Sequence, residues 1–442
     1  MNNEKLSTVL FVIIIVLMLR NLGNEIFFIE NLPYAIVLSP ALFVIKISSF
    51  NLVFSDIFIF LGGVFLILSN LKNRKPFTYN AKSSLLVSFF ISIFIFNLLQ
   101  IIIFSVIDEY TDYKFLIYIL FHLILFFALL ATNMSCKQQQ LLLKGFLKSV
   151  SFAVIIILTY YSRGESLLAW SGGEFAKASD LPEHLFFRAT YFYSGFFLYL
   201  GCSIAVLVYL LFHNSILFPT RLLIGIVLVA EVIAALAFIN KTVFVALAMT
   251  LVLMQFYKLR YNGWKFLQSL IVKASFVLGV LWTFIIFLDF SRFKDFIGYS
   301  TQTGSLAIRF FIYQNSIKLL FTDLFHLLFG EGLGFLSSDE PKSLLYKTNE
   351  YGQTEGTIDS QFMNIIIETG LVGWSLILCF VVAVLYRIYG LQKQDKNFAV
   401  PVVIMFAIIA ITSLTQRMGM AKLSLILPVL TVLLAKYRTF KI

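Results

Sequence analysis

Long runs of apolar residues, separated by short polar segments, follow one another from Leu6 to Ala435. A helix needs roughly 20 apolar residues to cross a bilayer, and most of these runs approach that length. We therefore expect an all-α integral membrane protein, a polytopic bundle of about twelve transmembrane helices that forms one domain over 1–442. The candidate spans, one of which is expected to be a half-span or re-entrant piece, are 6–22, 27–46, 54–71, 84–106, 115–134, 146–161, 191–212, 222–239, 242–257, 272–290, 365–389, 398–415 and 422–435.

Composition agrees with this pattern. Hydrophobic residues make up 60% of the chain and charged residues only 13%, whereas soluble proteins have about 25% charged residues. The net charge of +11 comes from short basic segments between spans, so it indicates cytoplasmic loops rather than nucleic-acid binding. If the spans from 54 onward alternate, one side of the membrane, with the C-terminus, holds Lys72, Arg74, Lys75, Lys82, Lys137, Lys144, Lys148, Lys258, Arg260, Lys265, Lys273, Arg387, Lys393, Lys396, Lys436, Arg438 and Lys441.

The start of the chain leaves its orientation open. The apolar stretch Leu6 to Leu19 lacks a strongly basic leader and a small-residue cleavage site, so we expect it to remain as a span. Pro33 and Pro40 are expected to break the middle of the 6–46 region. The number of crossings there is not fixed by the pattern.

Four segments fall on the side opposite the basic loops, which we expect to be periplasmic. They are the loop 162–190, the turn around Asn240-Lys241-Thr242, the large loop 291–364 and the short turn 415–422. A membrane protein that keeps about seventy polar residues together between two late spans is expected to recognise or transform a substrate there.

Basic residues on that outer side are the first candidate site residues, because cations are less expected there. Arg188, Lys241 and Arg309 have apolar or aromatic neighbours in sequence, and such a cation needs an anionic partner or a water-filled cavity. Arg presents a planar fork of donors that fits phosphate oxygens. Together with Arg292 and Arg417 they could form a pyrophosphate site. The alternative is that Arg188 and Arg309 extend to lipid headgroups or pair with loop acids.

Asp359 is the candidate catalytic carboxylate at the end of the large loop. It could act as a general base, or it could cap the helix that follows. Gly330-Glu331-Gly332-Leu333-Gly334 follows no strand and is interpreted as a tight turn that ends a helix. The histidines and cysteines are scattered, so neither a metal site, a cofactor nor a disulfide is expected.

Four groups of residues, in their order and spacing, resemble a known family over nearly the whole chain. They are Arg188 with Gly195; Asn240-Lys241-Thr242; Arg309 followed by Phe329-Gly330-Glu331-Gly332-Leu333-Gly334; and Asp359-Ser360-Gln361-Phe362 leading to Glu368-Thr369-Gly370-Leu371-Val372-Gly373. The pattern resembles the Wzy-type O-antigen polymerases, within the superfamily that also contains the O-antigen ligases. The chain has Ile358-Asp359-Ser360 where ligases typically carry a His-Asn motif, which favours the polymerases. It also has Lys241 where many members have Arg, and the two are not interchangeable at a bidentate phosphate site.

The resemblance implies a metal-independent, inverting glycosyltransferase at the outer face of a bacterial inner membrane. Its donor would be a glycan on undecaprenyl pyrophosphate, and its acceptor a hydroxyl of a new lipid-linked repeat unit. Arg188, Lys241 and Arg309 would hold the pyrophosphate, and Asp359 would orient or deprotonate the acceptor. Membrane lipid and a protein that regulates chain length are the implied partners.

Two other functions stay open. An O-antigen ligase would transfer the glycan to lipid A-core. A lipid-linked glycan flippase or another transporter would be similar in size and charge, but would be expected to carry ionisable residues within spans. Glu231 is the main candidate for such a residue.

Overall fold

The computed structural model describes residues 16, 19–21, 23–42, 44–47, 50–73, 83–107, 114–132, 134–162, 196–211, 218–237, 315–333, 335, 347–348, 354–355, 361–392, 401–409 and 425–436. The expected loop at 162–190 lies almost wholly outside these residues. So do the predicted spans at 242–257 and 272–290 and most of the large loop.

Helices dominate the first half, as predicted. They are α1 (Glu25–Leu42), α2 (Phe54–Lys72), α3 (Ser84–Ile107), α4 (Lys114–Ala131), α5 (Cys136–Ser162), α6 (Phe196–Leu211) and α7 (Phe218–Ala237). Between α1 and α2, strands β1 (Val44–Ile47) and β2 (Phe50–Val53) form an antiparallel hairpin in which Val44 faces Val53. The predicted span 27–46 therefore ends in a hairpin that the apolar pattern did not distinguish from helix.

The second half contains α8 (315–320), α9 (Leu324–Phe329), α10 (Gln361–Gln392), α11 (401–409) and α12 (Ile426–Lys436). A second small hairpin pairs β3 (Lys347–Thr348) with β4 (Thr354–Glu355) in the large polar segment. The helices α10 and α12 match the predicted spans 365–389 and 422–435 to within four residues at each end.

The expectation that Pro33 and Pro40 break the first region is wrong, because α1 continues through both. The two prolines are seven residues apart, so they share one face of the helix. Gly145 of α5 packs against that face, since a Cβ there would lie 3.1 Å from the Pro33 ring. Tertiary packing of α1 on α5 thus outweighs the lost backbone hydrogen bonds.

The helix α5 begins ten residues before its predicted span. Ser135 and Gln138 form a reciprocal cap, in which Ser135 N donates to Gln138 Oε1 (2.7 Å) and Gln138 N donates to Ser135 Oγ (3.3 Å). This Ser-x-x-Gln capping box is readable in the sequence but lies in a polar segment. The apolar pattern alone therefore placed the start too late.

The core at the centre of the bundle is aromatic. The ring of Phe90 in α3 stacks on Phe126 of α4 at 4.4 Å between centroids and lies 5.7 Å from Phe380 of α10. Phe94 lies over His122 one turn away. These contacts make α3 antiparallel to both α4 and α10.

One end of the bundle gathers the C-terminal ends of α4, α10 and α12. Arg387 Nε donates to the Leu434 carbonyl oxygen at 2.9 Å, and Lys436 Nζ donates to the Thr132 carbonyl oxygen. Both side chains are buried. Cations suit this position because the carbonyls at a helix C-terminus carry partial negative charge. Arg387 and Lys436 belong to two basic segments that the alternation of spans assigns to the same side of the membrane. The structure brings them to one end of the bundle, which we call the basic end.

The membrane character of the chain is clear in the described residues. Four helical segments are long and apolar enough to cross a membrane: Ser55–Lys72, Ser84–Ser105, Gln138–Ile156 and Met363–Gly390. Shorter apolar helices are Leu116–Ala131, Leu198–Leu211 and Ile426–Lys436. On α7 the exposed residues are large and apolar at helical spacing, namely Leu222, Leu223, Ile226, Val229 and Ile233. Such a face suits lipid rather than water. The total of about twelve spans remains a prediction.

Close packing of α2 on α4 generates a test of this bundle. A Cβ at Gly63 would lie 2.7 Å from Ile124 Cγ2, so Gly63→Val is expected to lower the free energy of unfolding by about 1–3 kcal/mol through overpacking. Gly225→Val is the matched control, because its Cβ would make only ordinary contact, 3.9 Å from Leu211. Thermal unfolding of the detergent-purified proteins measures both. Equal unfolding temperatures for the two variants would contradict the packing.

Candidate functional site

The predicted site residues lie outside the described part of the chain. This holds for Arg188, Lys241, Arg292, Arg309, Asp359 and Arg417. Their contacts are therefore not part of the geometry below, and their roles stay predictions. What the structure does describe is the base of the large polar segment, at the end of the bundle opposite the basic end.

Two of the glycine motifs meet at this base. Gly330 caps the C-terminus of α9 with φ 77°, which confirms the interpretation of the motif as a turn that ends a helix. Gly370 interrupts α10 with φ 61° and ψ −165°. A Cβ on Gly330 would lie 2.5 Å from the Glu368 carbonyl carbon, and one on Gly370 would lie 2.5 Å from Gly330 N. Only glycine permits both the left-handed backbone and this approach. We call this contact the Gly330–Gly370 junction.

Hydrogen bonds from the turn compensate for the break in α10. The kink at Gly370 removes the normal helical donors of the Ile367 and Glu368 carbonyls. Glu331 N donates to the Ile367 oxygen at 2.8 Å, and Gly332 N donates to the Glu368 oxygen at 3.2 Å. Buried carbonyls need such partners, so the turn and the kink depend on each other.

Gln100 of α3 closes the junction from the third side. Its Nε2 donates to the Glu368 carbonyl oxygen at 2.7 Å and also to the Phe329 carbonyl oxygen. The side chain is buried, with 2% of its surface exposed. One amide thus ties α3 to the end of α9 and to the kink of α10. The only sequence signal for this role is a polar residue within an otherwise apolar span.

Apolar contacts fix the turn to the bundle. Leu333 is buried in a small cluster with Ile101 of α3 and Ile119 of α4. At Gly332, a Cβ would lie 3.0 Å from the ring of Phe104. The chain therefore enters the remaining part of the large segment from a fixed point on α3 and α4.

Acidic residues and one histidine surround the junction. Asp323 caps α9, accepting from His326 N at 2.8 Å, and its second oxygen lies 2.6 Å from His326 Nδ1. Hydrogen bonds from the His326 backbone and ring hold the pKa of Asp323 below its usual value. His326 Nε2 lies 3.8 Å from the Glu331 carboxylate. Glu368, whose carbonyl accepts from the turn, is buried with 3% exposure.

Two of the predicted site residues are close in sequence to the elements that form the junction. The chain leaves the turn after Leu333 and returns to it through α10, whose Ile367 and Glu368 carbonyls accept hydrogen bonds from the turn. Asp359 precedes Gln361 by two residues. Arg309 precedes α8 by six residues, which limits its Cα to about 20 Å from the start of that helix. Among the described residues, no group of three or more His, Cys, Asp or Glu could hold a metal ion.

A scan against models of known protein families and a search of curated proteins both give no match to this chain.

Substitution of Gly370 should weaken the contact between the turn at Gly330 and the kink in α10. Gly370→Ala is expected to cost about 1–3 kcal/mol of backbone strain, in addition to a contact too short for any Cβ. Gly390→Ala, in the same helix but with nothing within 4 Å of its Cβ, should leave stability unchanged or slightly raised. Hydrogen exchange at residues 330–335 reports local opening. If amide protection at residues 330–335 were equal in Gly370→Ala and Gly390→Ala, the contact between the turn and the kink would be contradicted.

Gln100 gives a second test with a different readout. Gln100→Leu leaves the Phe329 carbonyl without this donor and should cost about 1–3 kcal/mol. Gln100→Glu should cost more, because a carboxylate would face two carbonyl oxygens. Ser105→Ala on the same helix is the control, since the Ser105 hydroxyl bonds only its own helix at Ile102. The unfolding temperatures of the variants are compared. If Ser105→Ala lowered the unfolding temperature as much as Gln100→Glu, the assigned role of the Gln100 amide would be wrong.

Proposed function

We propose that this protein is a surface-polysaccharide polymerase, which joins oligosaccharide repeat units carried on undecaprenyl pyrophosphate at the periplasmic face of a bacterial inner membrane. The observation that carries the proposal is the Gly330–Gly370 junction. Two motifs that resemble those of the O-antigen polymerases are in direct backbone contact through Gly330 and Gly370, which are 40 residues apart in the chain. The two motifs thus form one structural unit.

The position of this unit also supports the proposal. It lies at the end of the bundle opposite Arg387 and Lys436, and the bias of basic residues towards the cytoplasm makes that the outer end. Lipid-linked repeat units are joined outside the inner membrane in the family that the chain resembles. A loop held at its base by the junction would present Asp359 to such a substrate.

The proposed chemistry is a displacement at the anomeric carbon of the donor sugar. The acceptor hydroxyl forms the new glycosidic bond with inversion, the bond to the pyrophosphate breaks, and Asp359 takes the proton of the attacking hydroxyl. Arg188, Lys241 and Arg309, with Arg292 and Arg417, stabilise the charge that grows on the leaving pyrophosphate. The electron pair of the broken bond leaves with undecaprenyl pyrophosphate. No metal ion is needed if the cations carry this charge.

A lipid-linked glycan transporter is the second candidate, because one observation favours it. Glu231 is fully buried within the apolar helix α7, and ionisable residues inside a membrane are typical of transport pathways. An O-antigen ligase is the third candidate, but the chain lacks the His-Asn motif of ligases at Ile358-Asp359-Ser360.

Deletion of the gene, followed by complementation, separates the three candidates on a lipopolysaccharide gel. A polymerase predicts that the ladder collapses to core plus one repeat unit and returns on complementation. Loss of that single unit as well would contradict polymerisation. Long lipid-linked chains accumulating in the membrane would then indicate a ligase, and single units retained on the inner face would indicate a flippase.

Substitution of Arg309 tests the chemistry in the same assay. Arg309→Gln is expected to reduce polymerisation by roughly 10²-fold, the typical cost of one charge-stabilising donor in a transition state. Lys347→Gln is the matched control, since it removes a charge from hairpin strand β3 of the same segment. With equal amounts of protein in the membrane, a normal ladder in Arg309→Gln would refute the assigned role.

A further inference from the structure

A buried carboxyl group that has no part in the proposed glycan transfer lies between three helices. Glu231 of α7 has no exposed surface, and it faces Ser151 of α5 and Ser203 of α6. Its Oε1 lies 3.0 Å from Ser151 Oγ and 2.9 Å from Ser203 Oγ. Its Oε2 is also buried and has no hydrogen-bond partner among the described residues.

The hydrogen atoms around this group can be counted. Ser151 Oγ makes two short contacts, since it also lies 2.8 Å from the Leu147 carbonyl oxygen. A carbonyl oxygen only accepts, so the single hydroxyl hydrogen of Ser151 is used there. The hydroxyl of Ser203 supplies one more hydrogen, to Glu231 Oε1. Two hydroxyl hydrogens therefore serve three oxygen–oxygen contacts, and the contact between Ser151 Oγ and Glu231 Oε1 needs a third.

No cation offsets a charge on Glu231 in the described part of the chain. Arg221 is on the same helix but ten residues earlier, which is about 15 Å along the axis. On α5, Lys144 and Lys148 are exposed, and Lys137 is fourteen residues before Ser151, roughly 21 Å along the helix axis. The titratable groups of α6 are Tyr199, Cys202 and Tyr209, and Cys202 Sγ contacts the Met405 carbonyl instead. An unpaired buried carboxylate is costly.

We propose that Glu231 is a proton-binding site, in which the neutral carboxylic acid donates its Oε1 hydrogen to Ser151 Oγ and accepts from the Ser203 hydroxyl. This supplies the third hydrogen and removes the uncompensated charge. The bound ligand is a proton, held between α5, α6 and α7. Glu231 is not among the residues assigned to the proposed glycan transfer, so the site does not rest on that proposal.

Infrared spectroscopy of the purified full-length protein at neutral pH tests the site. The difference spectrum of wild type minus Glu231→Gln should contain the carbonyl band of a protonated carboxylic acid and should lack carboxylate bands. Glu231→Gln is suitable because its amide can donate to both serine hydroxyls. Asp323→Asn is the control, since Asp323 is half exposed and held in its ionised form by His326. Its difference spectrum should show carboxylate bands.

A second variant covers the case in which Glu231→Gln fails to fold. Ser151→Ala removes the acceptor of the carboxylic hydrogen but leaves the acid, so the band of the protonated acid should remain and shift in frequency. Carboxylate bands in the Glu231 difference spectrum, or an acid band that Ser151→Ala leaves unmoved, would overturn the proposal. In that case Ser151 would share one hydrogen between two acceptors and Glu231 would be ionised.

Discussion

Backbone contact between Gly330 and Gly370 is the constraint on which the polar end of the bundle depends. Each glycine adopts a left-handed conformation and touches the other's backbone. The kink frees two carbonyls of α10, and the turn supplies donors to both. Gln100 then ties the pair to α3. In a low-dielectric interior, a backbone carbonyl without a hydrogen-bond donor is costly. Loss of the turn would therefore leave carbonyls of a membrane helix unsatisfied, and loss of the kink would leave the turn without acceptors.

The ionisable groups that make described contacts differ between the two ends of the bundle. At the basic end, Arg387 and Lys436 donate to carbonyls where helices terminate. At the opposite end, the ionisable side chains that contact one another beside the turn are those of Asp323, His326 and Glu331. Between them lie the rings of Phe90, Phe126 and Phe380. An anionic lipid pyrophosphate would not be attracted to the described acids, so the cations predicted outside the described residues would have to supply the binding. Glu231 contacts two neutral hydroxyl groups, those of Ser151 and Ser203.

The sequence predicted most of the helices, because an apolar run of span length has few structural alternatives in a membrane. It failed where tertiary contacts decide local structure. Packing on Gly145 keeps α1 helical through Pro33, and the short hairpin after α1 is as apolar as a helix. The Gly330 motif was read correctly as a helix-ending turn. Its partner could not be predicted, because contact between residues 330 and 370 depends on the path of the chain between them. A glutamine within an apolar span indicates that Gln100 has a polar role. The sequence does not indicate which groups it contacts.

Reconstitution of the purified protein tests the central claim most directly. Proteoliposomes would be supplied with undecaprenyl pyrophosphate-linked repeat units in the presence of a metal chelator, and chain length and released undecaprenyl pyrophosphate would be measured together by mass spectrometry. The account predicts lengthened chains, with one undecaprenyl pyrophosphate released for each linkage formed. Unchanged repeat units that only move across the bilayer would contradict it.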